Sequence, residues 1–389
     1  MEMGRVDAAE TVATEDPWDA SARGFYRRWW QAVPDRDELV EAVRTLGGTT
    51  QDVWVPHWRA VADRHEARAV QAEEEGDLAL ARVEFLATKT YLSIARFPDA
   101  ITPEKGEVSR DCVRAYLRAC AHLEPPLQVV EISYGEWTMT AHLRVPAAGT
   151  AVPAVLVMCG SDVFKEDRGW VQEQCVGRGL AALVMDAPGT GENPVPWSPD
   201  SVGAWEAAVD FLAGRPDVDA NRIAAFGISR GGYSVMQLAG TAPEKLAAVV
   251  AVAGSPVGRL PEGEKLERHL ATVNERSAWF FGAPGDGPFA EPLTLEELTA
   301  RHSAWSLAEL GLLDRITQPL LMINGSEDDH SPISNIYTVL EHGPLAGKEA
   351  RIYAGAGHCA PEHAGEWIPQ AFDWLATKLG ADSRPGAGE

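Results

Sequence analysis

The stretch Gly227-Ile228-Ser229-Arg230-Gly231-Gly232 decides how this chain is read. Ahead of it runs Asn221-Arg222-Ile223-Ala224-Ala225-Phe226, short, apolar and strand-like. Behind it comes Tyr233-Ser234-Val235-Met236-Gln237-Leu238-Ala239, which reads as a helix. A G-x-S-x-G between strand and helix is the setting of a nucleophile elbow. Small residues beside the serine let strand and helix pass closely through a strained turn. The hydroxyl then projects above the sheet edge, where a histidine can deprotonate it. In a chain with 36 glycines the bare motif carries little, and the flanking strand and helix carry the reading. The competing reading is a tight turn whose serine only caps the helix.

Outward from the elbow, the chain from Glu124-Pro125-Pro126 alternates strand and helix. Residues 127–134 and 137–145 alternate around Gly135 and predict a β-hairpin. Strands are expected at 152–158, 180–185, 246–252, 319–323 and 350–353, with helices at 167–178, 202–214, 333–342 and 364–378. Buried, non-alternating strands separated by helices mean a mostly parallel sheet, an α/β fold. The order of elements is that of an α/β-hydrolase. Between the strands at 246–252 and 319–323, residues 255–316 form an insertion with Trp279, Phe280, Phe281 and Trp305. Its aromatic content predicts a lid that walls the substrate pocket, against the alternative of a structural helical excursion.

Before Glu124 the pattern is helical from Asp19 onward, so residues 19–123 are expected to be a separate helical domain. Trp54, Trp58, Val61 and Ala62 share one helical face, and Leu80, Val83, Leu86, Ala87, Tyr91 and Ile94 continue the spacing after Gly76. Gly76-Asp77 reads as a C-cap followed by an N-cap, hence a helical hairpin. A further helix is expected over about 104–122. The tryptophans of this region (18, 29, 30, 54 and 58) are read as core. Residues 1–18 and 380–389 are expected to be disordered, and the catalytic domain to span 124–379.

Hydrophobic content of 45% and charged content of 23% are ordinary for a globular protein. A formal net charge of -23 argues against nucleic acid and anionic membranes as partners. The five cysteines are scattered without a C-x-x-C pair, so neither a disulfide framework nor a zinc site is indicated. No basic-then-apolar leader appears, and no apolar run reaches the roughly 18 residues of a membrane span. A cytoplasmic location is therefore expected. Gly189-Thr190-Gly191 lacks the rest of a phosphate-binding fingerprint, so no nucleotide cofactor and no metal are expected. The anticipated partner is a small acyl substrate, with a homodimer left open.

A serine nucleophile needs a base, and the base needs an acid that holds its tautomer. The acid is expected in the loop Asn324-Gly325-Ser326-Glu327-Asp328-Asp329-His330, at Asp328, with Asp329 as the competitor. His330 is read as a solvated neighbour. After the last strand, Gly355-Ala356-Gly357-His358 offers a loop histidine among small residues, the best base among ten histidines. The oxyanion donors are expected at the backbone N–H of Arg230 and in the loop Cys159-Gly160-Ser161-Asp162-Val163, at Ser161. Asp162 would bring a carboxylate near the scissile group, or else cap a helix. Asp186-Ala187-Pro188-Gly189-Thr190-Gly191, at the same sheet edge, is read as shaping the pocket.

The helical N-terminal region, the hairpin, Met158-Cys159-Gly160-Ser161-Asp162-Val163-Phe164-Lys165-Glu166, the 186–191 loop and the Ser229 elbow follow in one order. Together they resemble the fermentation-respiration-switch-protein-like esterases over roughly residues 20 to 378. That group takes in 2,6-dihydroxypseudooxynicotine hydrolase and fungal polyketide-shortening hydrolases. The resemblance implies a serine hydrolase with Ser229, Asp328 and His358 as triad, and an auxiliary carboxylate at Asp162. It also implies a helical domain closing over the site and cleavage of a C–C bond in a 1,3-diketone or acyl-phenol. Carboxylesterases, acyltransferases and cyclases of the same fold remain alternatives.

Overall fold

The computed structural model describes residues 29, 32–48, 50–97, 103–147, 149–257 and 293–381, with short pieces between 263 and 271. The chain divides into two units, Met1–Pro126 and Leu127–Glu389. The division falls just after the Pro125-Pro126 pair, a few residues beyond the boundary expected at 123.

The first unit is helical. Its described helices are α1 (Arg36–Thr45), α2 (Gln51–Glu74), α3 (Leu78–Ala95) and α4 (Pro103–Ala119). The hairpin between α2 and α3 forms as the sequence predicts: Gly76 takes φ 80 and the Asp77 carboxylate accepts from the backbone N–H of Leu80. Trp29, Trp54 and Trp58 are core, with neighbouring ring centroids 5.6–6.1 Å apart. The Trp54 indole donates to the Ile94 carbonyl at 2.8 Å. The expected core face of α3 needs one correction. Leu80 and Val83 are exposed, whereas Ala81, Phe85, Thr88 and Leu92 are buried. The latter run in steps of four and three residues and form the stripe that packs inward, leaving Leu80 and Val83 on the outer face. Trp18, Trp30, the expected helical start at Asp19 and the N-terminus expected to be disordered lie outside the described residues, as does the tail from 382.

The second unit is built on one sheet of eight strands. They are β1 (Gln128–Tyr134), β2 (Trp137–Arg144), β3 (Val152–Met158), β4 (Ala181–Met185), β5 (Val218–Ile228), β6 (Ala248–Val252), β7 (Leu320–Gly325) and β8 (Lys348–Tyr353). Their spatial order is β1-β2-β4-β3-β5-β6-β7-β8, and every pair beyond the antiparallel β1–β2 and β2–β4 is parallel. Interleaved helices are α5 (Gly169–Val176), α6 (Val202–Ala213), α7 (Arg230–Thr241), α8 (Leu295–Ser303), α9 (Ser334–Glu341) and α10 (Ala364–Lys378). This is the α/β-hydrolase architecture read from the sequence. The elbow strand is longer than expected, starting at Val218, with a register shift against β3 between Val152 and Ala154.

Successive side chains of a strand point to opposite faces, so β3 feeds two cores. Ala154, Leu156 and Met158 join Trp205, Leu212 and Leu238 of α6 and α7. Val155 and Val157 join Val171, Cys175, Phe372 and Leu375 of α5 and α10. With both faces covered, each central strand is apolar throughout, which is why it reads as a continuous hydrophobic run.

The crossing of β5 and α7 fixes the elbow. A Cβ on Gly227 would lie 2.1 Å from the Gly231 carbonyl oxygen, and one on Gly232 would lie 2.6 Å from that of Val252. Both obstacles are backbone and cannot swing aside. Gly227→Ala should therefore cost about 3 kcal/mol or more of stability in denaturant unfolding. Gly365→Ala, where a Cβ would meet nothing within 4 Å at the start of α10, should cost none. Equal stability of the two variants would contradict the tight elbow.

Candidate active site

Ser229 sits between β5 and α7 with φ 61 and ψ -118, a positive-φ conformation outside the helical and extended regions and unusual for a residue with a side chain. Such backbone costs on the order of 1–3 kcal/mol and persists only where surroundings enforce it. Here the Ser229 N–H donates to the Val252 carbonyl at 2.8 Å, and the Ser229 carbonyl accepts from Tyr233 N–H at 3.1 Å. The turn is thus tied to β6 on one side and to the first turn of α7 on the other.

The structure brings the three separated sequence candidates together. His358 Nε2 lies 3.0 Å from Ser229 Oγ, and its Nδ1 lies 2.8 Å from Asp328 Oδ2. The Asp328 side chain is fully buried. Its other oxygen accepts from the backbone N–H groups of His330 and Ser331 at 2.8 and 2.9 Å. Burial opposes ionisation of Asp328, but His358 and these donors win and hold its pKa below the ordinary value. Asp329 points elsewhere, its side chain 74% exposed beside His330. His330 is itself exposed, as expected, with its ring edge-on to His358 at 5.3 Å. For His358, burial acts to lower the pKa. The neighbouring Cys359 and Asp328 outweigh it, and the pKa is pushed up to about 10. A base must be neutral to accept a proton, so this shift moves the acid limb of any His358-dependent activity upward in pH.

The loop after β3 lies against the nucleophile position. A Cβ on Gly160 would be 3.3 Å from the Ile228 carbonyl and 3.8 Å from Ser229 Cβ, so only a small residue fits comfortably. Ser161 and Asp162, next in this loop, are half-buried. A buried ion pair pins the loop's far end. Lys165 Nζ sits 3.0 Å from Asp186 Oδ2 and 2.6 Å from Glu192. Asp186 also accepts the backbone N–H groups of Lys165 and Glu192 at 2.6 and 2.9 Å. Burial alone would lower the Lys165 pKa, but Asp186, Glu166 and Glu192 raise it, so the amine stays charged. Asp186 thus ties the loop after β4 to the loop after β3, through a lysine partner that the sequence did not single out. A lysine within Phe164-Lys165-Glu166 facing a strand-end aspartate was the available signal.

Of the predicted aromatic wall, Trp305 is described and Trp279, Phe280 and Phe281 lie outside the described residues, as does the stretch 272–292 of the 255–316 insertion. Trp305 stacks on Trp197, ring centroids 4.5 Å apart and planes 16° from parallel. Tyr233 meets both rings, at 6.2 and 6.0 Å. The Arg230 guanidinium lies over Trp197, 4.3 Å from its centroid. Trp197 and Tyr233 were missed by sequence reasoning. An aromatic residue in the Pro-rich stretch after the 186–191 loop, at the same sheet edge, was the one hint. Among the described residues no group of three or more His, Cys, Asp or Glu could hold a metal ion, and no helix is long and apolar enough to cross a membrane.

Comparison with known proteins adds the following. The family model described as esterase FrsA-like matches residues 32–352. The chain is 24% identical over 361 residues to a 2,6-dihydropseudooxynicotine hydrolase of Paenarthrobacter nicotinovorans, covering 92% of this chain and 93% of that one. It is 30% identical over 246 residues to the alpha/beta hydrolase ucsC of an Acremonium species, covering 56% of this chain and half of ucsC. The crystal structure of the 2,6-dihydroxy-pseudo-oxynicotine hydrolase superposes with a TM-score of 0.75 at 22% identity, over 91% of this chain and 95% of that one. That likeness speaks to the fold.

The two aspartates separate cleanly in experiment. Asp328→Asn should lower kcat on the order of 10³- to 10⁴-fold, the scale seen when a triad acid can no longer hold its histidine. Asp329→Asn should leave kcat little changed. A reversed order would mean that the exposed carboxylate swings in and the buried one is structural.

Proposed function

The chain belongs to the FrsA-like esterase family, whose relatives named above are hydrolases of the α/β-hydrolase type, and from that premise we propose a serine hydrolase with a covalent acyl-enzyme on Ser229. The observation that carries this reading is the hydrogen-bonded line Ser229 Oγ, His358, Asp328 at 3.0 and 2.8 Å. His358 takes the hydroxyl proton as Oγ attacks a carbonyl carbon, and Asp328 stabilises the resulting imidazolium. The oxyanion is received by the backbone N–H of Arg230 and by that of Ser161 across the Gly160 approach. Each such donor is worth roughly 3–4 kcal/mol in related chemistry. Collapse expels the leaving group, which takes the proton from His358. Water, deprotonated by His358, then cleaves the acyl–Ser229 bond.

The substrate class we favour is an aromatic or polyketide-like compound cleaved at a C–C bond next to a carbonyl, as in a 1,3-diketone. Similarity along nearly the whole chain to a pseudooxynicotine hydrolase supports it. The family's esterase description supports the second reading, a carboxylesterase using the same residues. The two differ in the leaving group. An ester expels an alkoxide, whereas a C–C bond expels a carbanion or enol that needs a proton at carbon. Asp162, half-buried in the oxyanion loop, is the carboxylate proposed to hold the ketone form or relay that proton.

Ser229→Ala should abolish turnover by several orders of magnitude, and a fluorophosphonate should label Ser229 alone. Asp162→Asn should depress C–C cleavage by about 10²-fold or more while changing hydrolysis of an activated aryl ester much less. Equal losses on both substrates would reduce Asp162 to shaping the loop, and labelling away from Ser229 would sink the whole assignment.

A further inference from the structure

The eight-stranded sheet ends in a bare edge at β8. Among the described residues β8 has one strand neighbour, β7. The Gly347 carbonyl accepts from the Leu320 N–H at 3.0 Å, and the Tyr353 carbonyl from the Ser326 N–H at 2.9 Å. Alternate residues of a parallel strand face a given neighbour, so Glu349 and Arg351 bond to β7. Ala350 and Ile352 turn their backbone N–H and C=O groups outward. Lys348 turns its carbonyl the same way, while its N–H donates to the Leu345 carbonyl at 3.1 Å. Glu349, Ala350 and Ile352 are exposed. Such an edge accepts another strand unless a proline, a bulge or repelling charges block it. β8 has no proline, and its register with β7 runs unbroken.

The charges of β8 are the second observation. Glu349 and Arg351, two residues apart, point to the same face of the sheet. Glu349 Oε1 accepts from the Trp374 indole at 2.7 Å and lies 3.4 Å from Lys378 Nζ. The Arg351 guanidinium donates to the Gln370 side chain at 3.1 Å, so it meets no carboxylate among the described residues. Gln370, Trp374 and Lys378 follow in steps of four, so one stripe of α10 holds both charged side chains at the edge. On the opposite face Ile352 is an exposed apolar residue, as are Tyr337 on α9 and Leu345 in the connection to β8.

We propose that β8 is a dimer interface, pairing antiparallel with β8 of a second copy about a two-fold axis through Ala350. In a two-fold interface each contact occurs twice. Here Glu349 stands opposite Arg351 of the second copy, and Arg351 opposite its Glu349. The Ala350 pair exchanges two backbone hydrogen bonds, and each Ile352 N–H meets the Lys348 carbonyl of the other copy. Glu349 and Arg351 then occupy non-hydrogen-bonded pairs, where side chains across two strands come closest. The neighbouring registers are worse. An axis through Lys348, Glu349 or Arg351 sets like charges face to face, and one through Ile352 sets Arg351 against Tyr353. The same charges that would repel a shifted strand therefore select this one.

Sedimentation of the full-length protein at micromolar concentration tests this without any substrate. The wild-type chain should run at twice its own mass. Arg351→Glu sets glutamate against glutamate at both pairs and should weaken the dimer about tenfold or more. Glu349→Arg should do the same with two facing arginines. Mixing these two variants should restore a dimer, because every arginine then faces a glutamate. Ala350→Pro removes an outward N–H and spares the bonds to β7, as proline does on an edge strand, so it should yield a folded monomer. A monomeric wild-type protein would overturn the proposal. If its β8 amides also resisted hydrogen exchange, another segment of the same chain would be covering the edge. A dimer that survives Arg351→Glu and Ala350→Pro would place the interface elsewhere, and a mixture that stays monomeric would exclude the Ala350 register.

Discussion

The backbone of Ser229 is the constraint on which the site depends. Its φ of 61 is held by a hydrogen bond to Val252 and by glycines whose missing Cβ atoms let β5, α7 and β6 approach to backbone contact. The strain, on the order of 1–3 kcal/mol, is outweighed by two apolar cores that cover the sheet. In return the hydroxyl stands at the end of β5 and the N-terminus of α7 opens beside it. His358 and Asp328 come from the loops after β8 and β7. The loop carrying Ser161 follows β3. All of these are carboxyl ends of parallel strands, so one sheet edge collects what the chain spreads over 200 residues.

Around that point charged side chains are held in two different ways. Lys165 and Asp186 are buried, with Glu192 at the surface completing the cluster, and it ties the loop after β3 to the loop after β4. Removing Asp186 would leave the buried Lys165 amine without its buried partner, so the cluster's contribution is rigidity of the loop after β3. Arg230 is held differently, its guanidinium lying over the Trp197 ring.

Much of this was legible in the sequence for identifiable reasons. The elbow, the eight strands and the flanking helices could be read because buried parallel strands and amphipathic helices leave periodic or continuous apolar signals. The loop positions of Asp328 and His358 followed from strand ends. Asp328 was expected ahead of Asp329 from its distance past the strand end, and in the structure it is Asp328 that meets His358. Lys165 and Asp186 are 21 positions apart in two loops, and Trp197 meets Trp305 across 108 positions, so neither contact leaves a local trace. The α3 face was misjudged at Leu80 and Val83 because helical spacing fits more than one stripe, and packing selects among them.

The central claim is that acyl groups pass through Ser229. Rapid mixing of the wild-type protein with an aryl ester, an acid quench within the first turnovers and intact-mass analysis test it most directly. The account predicts a species heavier by one acyl group, with the added mass mapping to the peptide that contains Ser229. Turnover of the ester with no adduct, or an adduct on any other residue, would contradict it.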